Sequence, residues 1–477
     1  MRPATIEDRV RDYLEAERAR VPVPPVVASR ILHAVDASRP ARKHPRAGVL
    51  QFAAGMAFVL LIATGIAWMR TAQMPAGVVN GAWSSVASMG VGRGYHTATL
   101  LPNGKVLVVA GSDVRILASA QLYDPRTRTW SSAGMLSTPR TLHTATLLKS
   151  GKVLVVGGSP VQPYYLGSLA SAELYDPQTN SWTSAASMHT PRSDHTATLL
   201  ADGRVLVVGG IDASNDVSGT VLSSAELYDP VTNRWAMAAP MPLARAKHRA
   251  ILLPDHRVLI LGGTDTAYVP TGSDLRSAAL YDPASQSWSS VASMKYARTF
   301  PTATLLPDGR VLVVGDDGVN ERTAEIFDPQ TDGWSPVPDP RVGRAEHVAV
   351  GLNNGTVLVA GGVGETSAQL FDWRRNAWTN AGALTVDRAS ATATLLPDGR
   401  VLIAGGFGDR SVPWASAEVY DPLGTSTVGI RSTRTAPAPE AGAAILLGTT
   451  ALLLAPVLWL RRRRALRESG AGHVWID

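Results

Sequence analysis

Cysteine is missing from all 477 residues of the chain. Its absence removes disulfides, thiolate metal sites and any thiol nucleophile. Charge is scarce too, at 18% of residues against 45% apolar, and it is unevenly spread. Residues 1–47 hold ten basic and six acidic side chains, a net of +4; residues 461–477 hold five and two, a net of +3. The 413 residues between them carry 30 basic and 31 acidic groups, so the overall +6 belongs to the two ends. A middle section this close to neutral leaves no electrostatic footprint for a nucleic acid, and no nucleic-acid partner is expected. No G-x-S-x-G, H-E-x-x-H or phosphate-loop pattern occurs either, so no familiar hydrolase, zinc-protease or nucleotide site is written in the residues.

What the chain does contain is one phrase repeated seven times. In its clearest copy it runs R-S-D-H-T-A-T-L-L-A-D-G-R-V-L-V-V-G-G from Arg192 to Gly210, then S-A-E-L-Y-D-P-V-T-N-R-W from Ser224 to Trp235. The closing tryptophans are Trp83, Trp130, Trp182, Trp235, Trp288, Trp334 and Trp378, spaced 47, 52, 53, 53, 46 and 44 residues apart. A period near fifty signals an array of supersecondary units. H-T-A-T-L-L and R-V-L-V-V are β-branched and apolar, separated by P-N-G or P-D-G turns. A-E-L-Y ends at Asp-Pro, where a ladder cannot continue, and the Trp strand follows. Four short strands per unit is the composition of a propeller blade.

The double glycine, the aromatic after it and the spaced tryptophan resemble the kelch repeat, over about residues 81–422. The resemblance implies an all-β fold, a seven-bladed kelch-type β-propeller with each blade's first strand lining the channel and its Trp strand outermost. The phase of the repeats predicts how the ring closes. The chain enters with an orphan Trp strand at 81–89 and leaves after Tyr420-Asp421-Pro422 without one, so the N-terminal strand should complete the last blade. The family also includes copper-radical oxidases with a Tyr–Cys cofactor, an activity that a chain without cysteine cannot support. Sialidase S-x-D-x-G-x-x-W boxes are absent, while sugar-acid epimerases follow no motif to match. No cofactor, no metal site and no catalytic residue are expected, and a carbohydrate-active enzyme is the weakest of the functional readings.

Two uncharged apolar runs flank the repeats, Gly48 to Met69 and Ala441 to Leu460. Each is long enough to cross a hydrocarbon core of roughly 30 Å as a helix. Arg39, Arg42, Lys43 and Arg46 precede the first and Arg461 to Arg464 follow the second, which places both ends in the cytoplasm and the repeats outside. The expected layout is a cytoplasmic amphipathic segment at 1–47, a transmembrane helix at 48–69, a linker at 70–80, the propeller at 81–422, a Pro-rich linker at 423–440, a second transmembrane helix at 441–460 and a basic tail at 461–477. The second run has a rival reading as a C-terminal sorting signal of bacterial type, carried by Ala-Pro-Glu-Ala at 438–441 and the arginine cluster. The N-terminal segment is either a spacer or a docking site, on residues 1–40, for a cytoplasmic partner. Together these features suggest a bacterial plasma-membrane protein displaying an extracytoplasmic module.

Residues shared by every unit should serve the unit. Arg93, Arg140, Arg192, Arg245, Arg298, Arg344 and Arg388 recur in all seven, and His96, His143, His195, His248 and His347 in five. Packing and local hydrogen bonding explain both series better than an anion or metal site does, and the Asp of Y-D-P reads as a turn former. Function should sit where the units disagree. The connections after Gly-Gly vary most, and the long ones at 159–171, 211–224 and 264–277 carry Tyr164, Tyr165, Asp212, Asn215, Asp216, Asp265, Tyr268 and Asp274. Unit five adds Asp316 and Asp317, and unit seven Phe407 and Trp414. In an up-and-down blade these loops share a face with the inter-blade connections, so one face should be uniform and the other variable. Aromatic and acidic side chains there suit a protein or glycan ligand. The expected function is a membrane-tethered binding or scaffolding module; the alternative is a sensor that relays ligand binding to the N-terminal helices.

Overall fold

The computed structural model describes residues 81–161, 167–214, 219–267, 274–315, 322–408 and 412–424. The two apolar runs, both tails and both linkers, apart from residues 423 and 424, lie outside the described residues. Among the described residues no helix is long and apolar enough to cross a membrane.

Seven antiparallel four-stranded sheets follow one another along the chain. The second blade is typical, with strands Thr144–Leu147, Val153–Val156, Ala172–Asp176 and Ser181–Ala185. Innermost strands of successive blades neighbour one another all the way round, Thr392–Leu395 of blade seven meeting Thr97–Leu100 of blade one. Every second strand is buried along its full length, because V-L-V-V has no polar face to expose and is covered by a blade on each side. The core therefore lies between blades. Leu206 and Val208 of blade three face Val258 and Ile260 of blade four, while Val205 and Val207 face back to Leu154 and Val156 of blade two.

The orphan Trp strand closes the ring as its phase predicts. Ala82–Val86 pairs with Ala417–Asp421 over five residues, with Trp83 opposite Tyr420. The two rings lie 5.0 Å apart, and the Tyr–Trp or Phe–Trp pairs of the other six blades lie 4.9–5.1 Å apart. Each tryptophan also donates its indole Nε1–H to a carbonyl of the preceding blade, as Trp182 does to Ala133 at 2.7 Å and Trp83 does to Ala381 at 2.6 Å. All seven seams thus carry the same clasp.

The two faces differ as expected. On one, the Asp side chain of every Asp-Pro position accepts from the backbone N–H two residues on, an Asx turn repeated seven times. On the other, inter-blade connectors bridge to the loops that follow Gly-Gly, as Thr141 does to Ser159 and Ser193 to Ile211. In blade two the second position of the pair needs glycine: Gly158 holds φ +96°, and a Cβ there would lie 2.9 Å from that of His143.

Candidate functional site

The recurrent arginines are fully buried structural members. Arg140 Nη1 donates to the carbonyls of Gly157 at 2.9 Å and Ser171 at 3.1 Å, and Nη2 donates to Glu173 Oε1 at 3.0 Å. The other carboxylate oxygen of Glu173 accepts from the Ser137 N–H at 2.8 Å. Blades two, three, five and seven share this Arg–Glu pair. In blades one, four and six the carboxylate is replaced by Gln121, Ala279 and Gln369, and burial pushes Arg93, Arg245 and Arg344 down to about 10.

The histidines bind blade to blade. His143 Nε2 shares a hydrogen bond with Thr97 Oγ1 at 3.0 Å, His195 with Thr144, His248 with Thr196, His347 with Thr302 and His96 with Thr392. The two seams that lack the bond lack both partners: Arg249 faces Pro301 and Val348 faces Ala391 at the corresponding positions. Burial, helped by the neighbouring arginine, holds these imidazoles at about 3 or well below their ordinary value, so they stay neutral. Among the described residues no three His, Asp or Glu side chains converge as metal ligands would.

Of the loop residues singled out from the sequence, Tyr164, Tyr165, Asn215, Asp216, Tyr268, Asp316 and Asp317 lie outside the described residues. The others are on the variable face, with largely local partners. Asp212 sits in a two-residue hairpin strand and accepts from Ser214 N–H at 2.9 Å and Oγ–H at 2.6 Å. Asp274 accepts from Thr299 Oγ at 2.6 Å, and Trp414 donates to the Asp387 carbonyl at 2.8 Å. Asp265 is exposed. The structure does bring the long loops together. Ser168 of blade two bonds the Ile211 carbonyl and the Ala213 N–H of blade three, and Ile211 and Ala213 pack with Ala246 and Ala267 of blade four.

A second set of residues is not picked out by the length of its loops. Two positions after each shared arginine stand Tyr95, Leu142, Asp194, Lys247, Phe300, Glu346 and Ser390, seven different side chains. All seven have left-handed backbone, φ +50° to +57°, and all are half-buried. This conformation costs a non-glycine residue about 1–2 kcal/mol, yet none of the seven is glycine. Backbone hydrogen bonds link them into two arcs of the circle: Asp194 N–H to Leu142, Lys247 to Asp194 and Phe300 to Lys247 in one, Ser390 to Glu346 and Tyr95 to Ser390 in the other, at 3.0–3.3 Å. Because they precede the innermost strands, they rim the channel mouth on the variable face. Charges gather on one side of it. Burial pushes the Asp194 carboxyl up to about 6 with Glu346 adding to the rise, while Lys247 and Arg249 oppose it. Glu346 also accepts a short hydrogen bond from Ser390, Lys247 lies over the Phe300 ring at 5.4 Å, and Tyr95 stacks near Phe407 at 5.3 Å. The sequence signal for this ring is variation at one position between a fixed Arg and a largely fixed His.

Comparison with known proteins supports the fold reading. The profile of the KLHDC2/KLHL20/DRC7 Kelch-repeats domain matches residues 95–315. Beta-scruin of Limulus polyphemus is 29% identical over 153 residues, 32% of this chain and 16% of that protein. Kelch-like protein terF of Aspergillus terreus is 29% identical over 126 residues, 26% of this chain and 27% of that protein. Human Kelch-like protein 34 is 33% identical over 129 residues, 27% and 19% of the two chains. The chain thus matches only about a quarter or less of the length of these relatives. Among solved structures, a fungal alcohol oxidase of the AA5 family in complex with copper superposes with a TM-score of 0.58 at 19% identity, covering 72% of this chain and 76% of its own. At that identity the likeness speaks for the fold alone.

Proposed function

The chain is a kelch-repeat β-propeller protein, and from that premise we propose that it is a membrane-tethered, extracytoplasmic module that binds a protein or glycan at the channel mouth of its variable face. Kelch propellers commonly bind proteins. The observation that carries this reading is the ring of seven unlike residues held in left-handed backbone, where the fold fixes the frame and leaves the chemistry free. The packed loops of blades two to four stand on the same face. The tether draws support from the sequence and from one geometric fact. Ala82 and Gly424 are neighbours, at the end of the closing strand that lies beside the Asp-Pro turns, so both flanks leave from the uniform face. Anchoring them would leave the mouth turned away from the bilayer. The sensor alternative rests on residues 1–40 and predicts that their deletion abolishes a ligand-dependent response while binding survives.

The test is a glycan and peptide array probed with the full chain, repeated with Lys247→Ala and Glu346→Ala. Capture should fall at least tenfold in the variants with thermal stability retained. Unchanged capture would place the ligand elsewhere. For the topology, a protease added outside intact cells should cut within 81–422.

A further inference from the structure

The uniform face is uniform in six blades only. Six of the seven Asp-Pro turns keep proline (Pro125, Pro177, Pro230, Pro283, Pro329, Pro422), whereas blade six reads Asp372-Trp373-Arg374-Arg375. The backbone has not changed to accommodate this. Asp372 still accepts from Arg374 N–H at 3.0 Å, and Asn376 still takes φ +47°, as Asn180 and Asn233 do at +52°. Only the side chains differ, so the fold does not require the difference.

The neighbouring turn in the same blade has changed in a complementary way. In blades three, four, five and seven the turn between first and second strands supplies an acid–base pair, such as Arg204 with Asp202 at 2.8 Å or Arg400 with Asp398 at 2.6 Å. In blades one and two it supplies Lys105 and Lys152, which pair with Asp124 and Asp176. In blade six those positions are Asn354 and Thr356, both neutral. Asp372 is left as the one acidic wall of a cavity of about 370 Å³ lined by Asn354, Thr356, Asp372, Arg374 and Arg375. Arg375 braces the turn. Its Nη1 lies 3.1 Å from Asp372 Oδ2, doing what the Thr232 hydroxyl does for Asp229 in blade three. Arg374 has no such role. Among the described residues its guanidinium makes no ion pair and instead lies over the Trp373 ring, 4.8 Å from the centroid. Arg310 of blade five, already paired with Asp308 at 2.7 Å, approaches the same ring at 5.9 Å. The Trp373 ring thus holds a cation in place at the cavity wall, where a flexible exposed arginine would otherwise lose side-chain entropy on binding.

We propose that this cavity is a phosphate-group site, separate from the mouth, in which Arg374 grips the oxyanion, Arg375 offsets the charge of Asp372, and the Asn354 side-chain amide, its oxygen held by the Thr356 hydroxyl at 2.7 Å, supplies a neutral N–H. A planar guanidinium fork suits phosphate oxygens, and neutral partners on the far wall avoid repelling them. The same chemistry takes a free phosphate or one carried on a lipid headgroup, and the second source is within reach because the flanks leave from this face.

The full chain in detergent is titrated calorimetrically with inorganic phosphate and with dihexanoyl-phosphatidylglycerol below its micellar concentration, at ionic strength matched by chloride. Saturable binding of either probe is expected, inorganic phosphate identifying a free-phosphate site and the lipid alone a headgroup site. Arg374→Ala should weaken it at least tenfold and Arg374→Lys less. Trp373→Pro restores the residue of the other six blades; it should lower the thermal midpoint slightly, because the Trp373 ring packs on the core between blades five and six, leave the propeller folded, and weaken binding by removing the support of Arg374. No saturable binding of either probe, or the same affinity in Arg374→Ala and Trp373→Pro as in the unaltered chain, would overturn the assignment.

Discussion

Two positions only two residues apart differ more than any distant pair of regions in this molecule. Arg192 and Asp194 lie on one connector, and the same is true of the corresponding pair in every blade. The first position never changes and its side chain is buried. The second never repeats, yet its backbone is the same in all seven. A buried guanidinium that serves up to four acceptors at once, as Arg192 does, has no tolerable substitute, because every alternative leaves carbonyls or a carboxylate unpaired. A side chain at the channel rim holds no comparable set of buried carbonyls, its contacts being ones such as Lys247 over Phe300 or Ser390 with Glu346, and its replacement mainly changes what the mouth offers.

The largest effect should come from the first position. Arg192→Ala leaves Glu226 buried without its guanidinium and should destabilise the protein by about 3–5 kcal/mol, read by denaturant unfolding. Trp83→Ala removes both the ring contact and the indole bond that close the circle, and should cost about 3 kcal/mol. Arg245→Ala strands only carbonyls and a hydroxyl, as blade four has Ala279 where others have glutamate, so about 1–3 kcal/mol is expected. If Arg192→Ala and Arg245→Ala cost the same, the carboxylate adds nothing and the distinction between the two kinds of blade fails.

Acid should act next. Five histidines have folded values far below their ordinary 6.5, so the unfolded chain binds more protons between about 6.5 and 3. Stability should be fully present above pH 6.5 and fall as the pH drops toward 3. Asp194 works in the other direction, since its raised value favours the folded state below its ordinary 3.8 and the advantage is lost as the pH rises through about 6. One such group against five histidines should blunt the acid loss without reversing it, and thermal midpoints across pH 3–8 will show this. The smallest effect is expected at the second position. Asp194→Asn, neutral at every pH, should raise the thermal midpoint modestly at pH 7, where the ionised buried carboxyl is a cost, and should remove the opposing contribution from the pH profile.

Much of this architecture is legible in the residues themselves. Count, phase and closure follow from where Trp83 and Tyr420 stand, because strand pairing leaves no other home for an orphan outer strand. The local roles of the arginines, histidines and turn aspartates follow from their recurrence. The mouth ring is harder to see, because variability draws the eye to long loops, whereas Asp194 and Lys247 sit in a connector of fixed length. Their left-handed backbone is imposed by neighbours across the seam, which a single repeat does not contain. The blade-six turn is hidden for the opposite reason. Trp373 falls on a face expected to be uniform, and only the contact of Arg374 with its ring gives the substitution a meaning.

The closing strand has a mechanical consequence. Residues 81 and 424 emerge together at one end of a five-residue antiparallel ladder, so a pull between them loads that ladder from its end, one pair of bonds at a time, beginning at Ala82 and Asp421. Peeling needs far less force than sliding strands past one another, because no bonds share the load. Tension along the flanks would therefore open the circle at its own clasp, freeing Trp83 from Tyr420 and Ala381, while the six blades built from contiguous chain stayed shut.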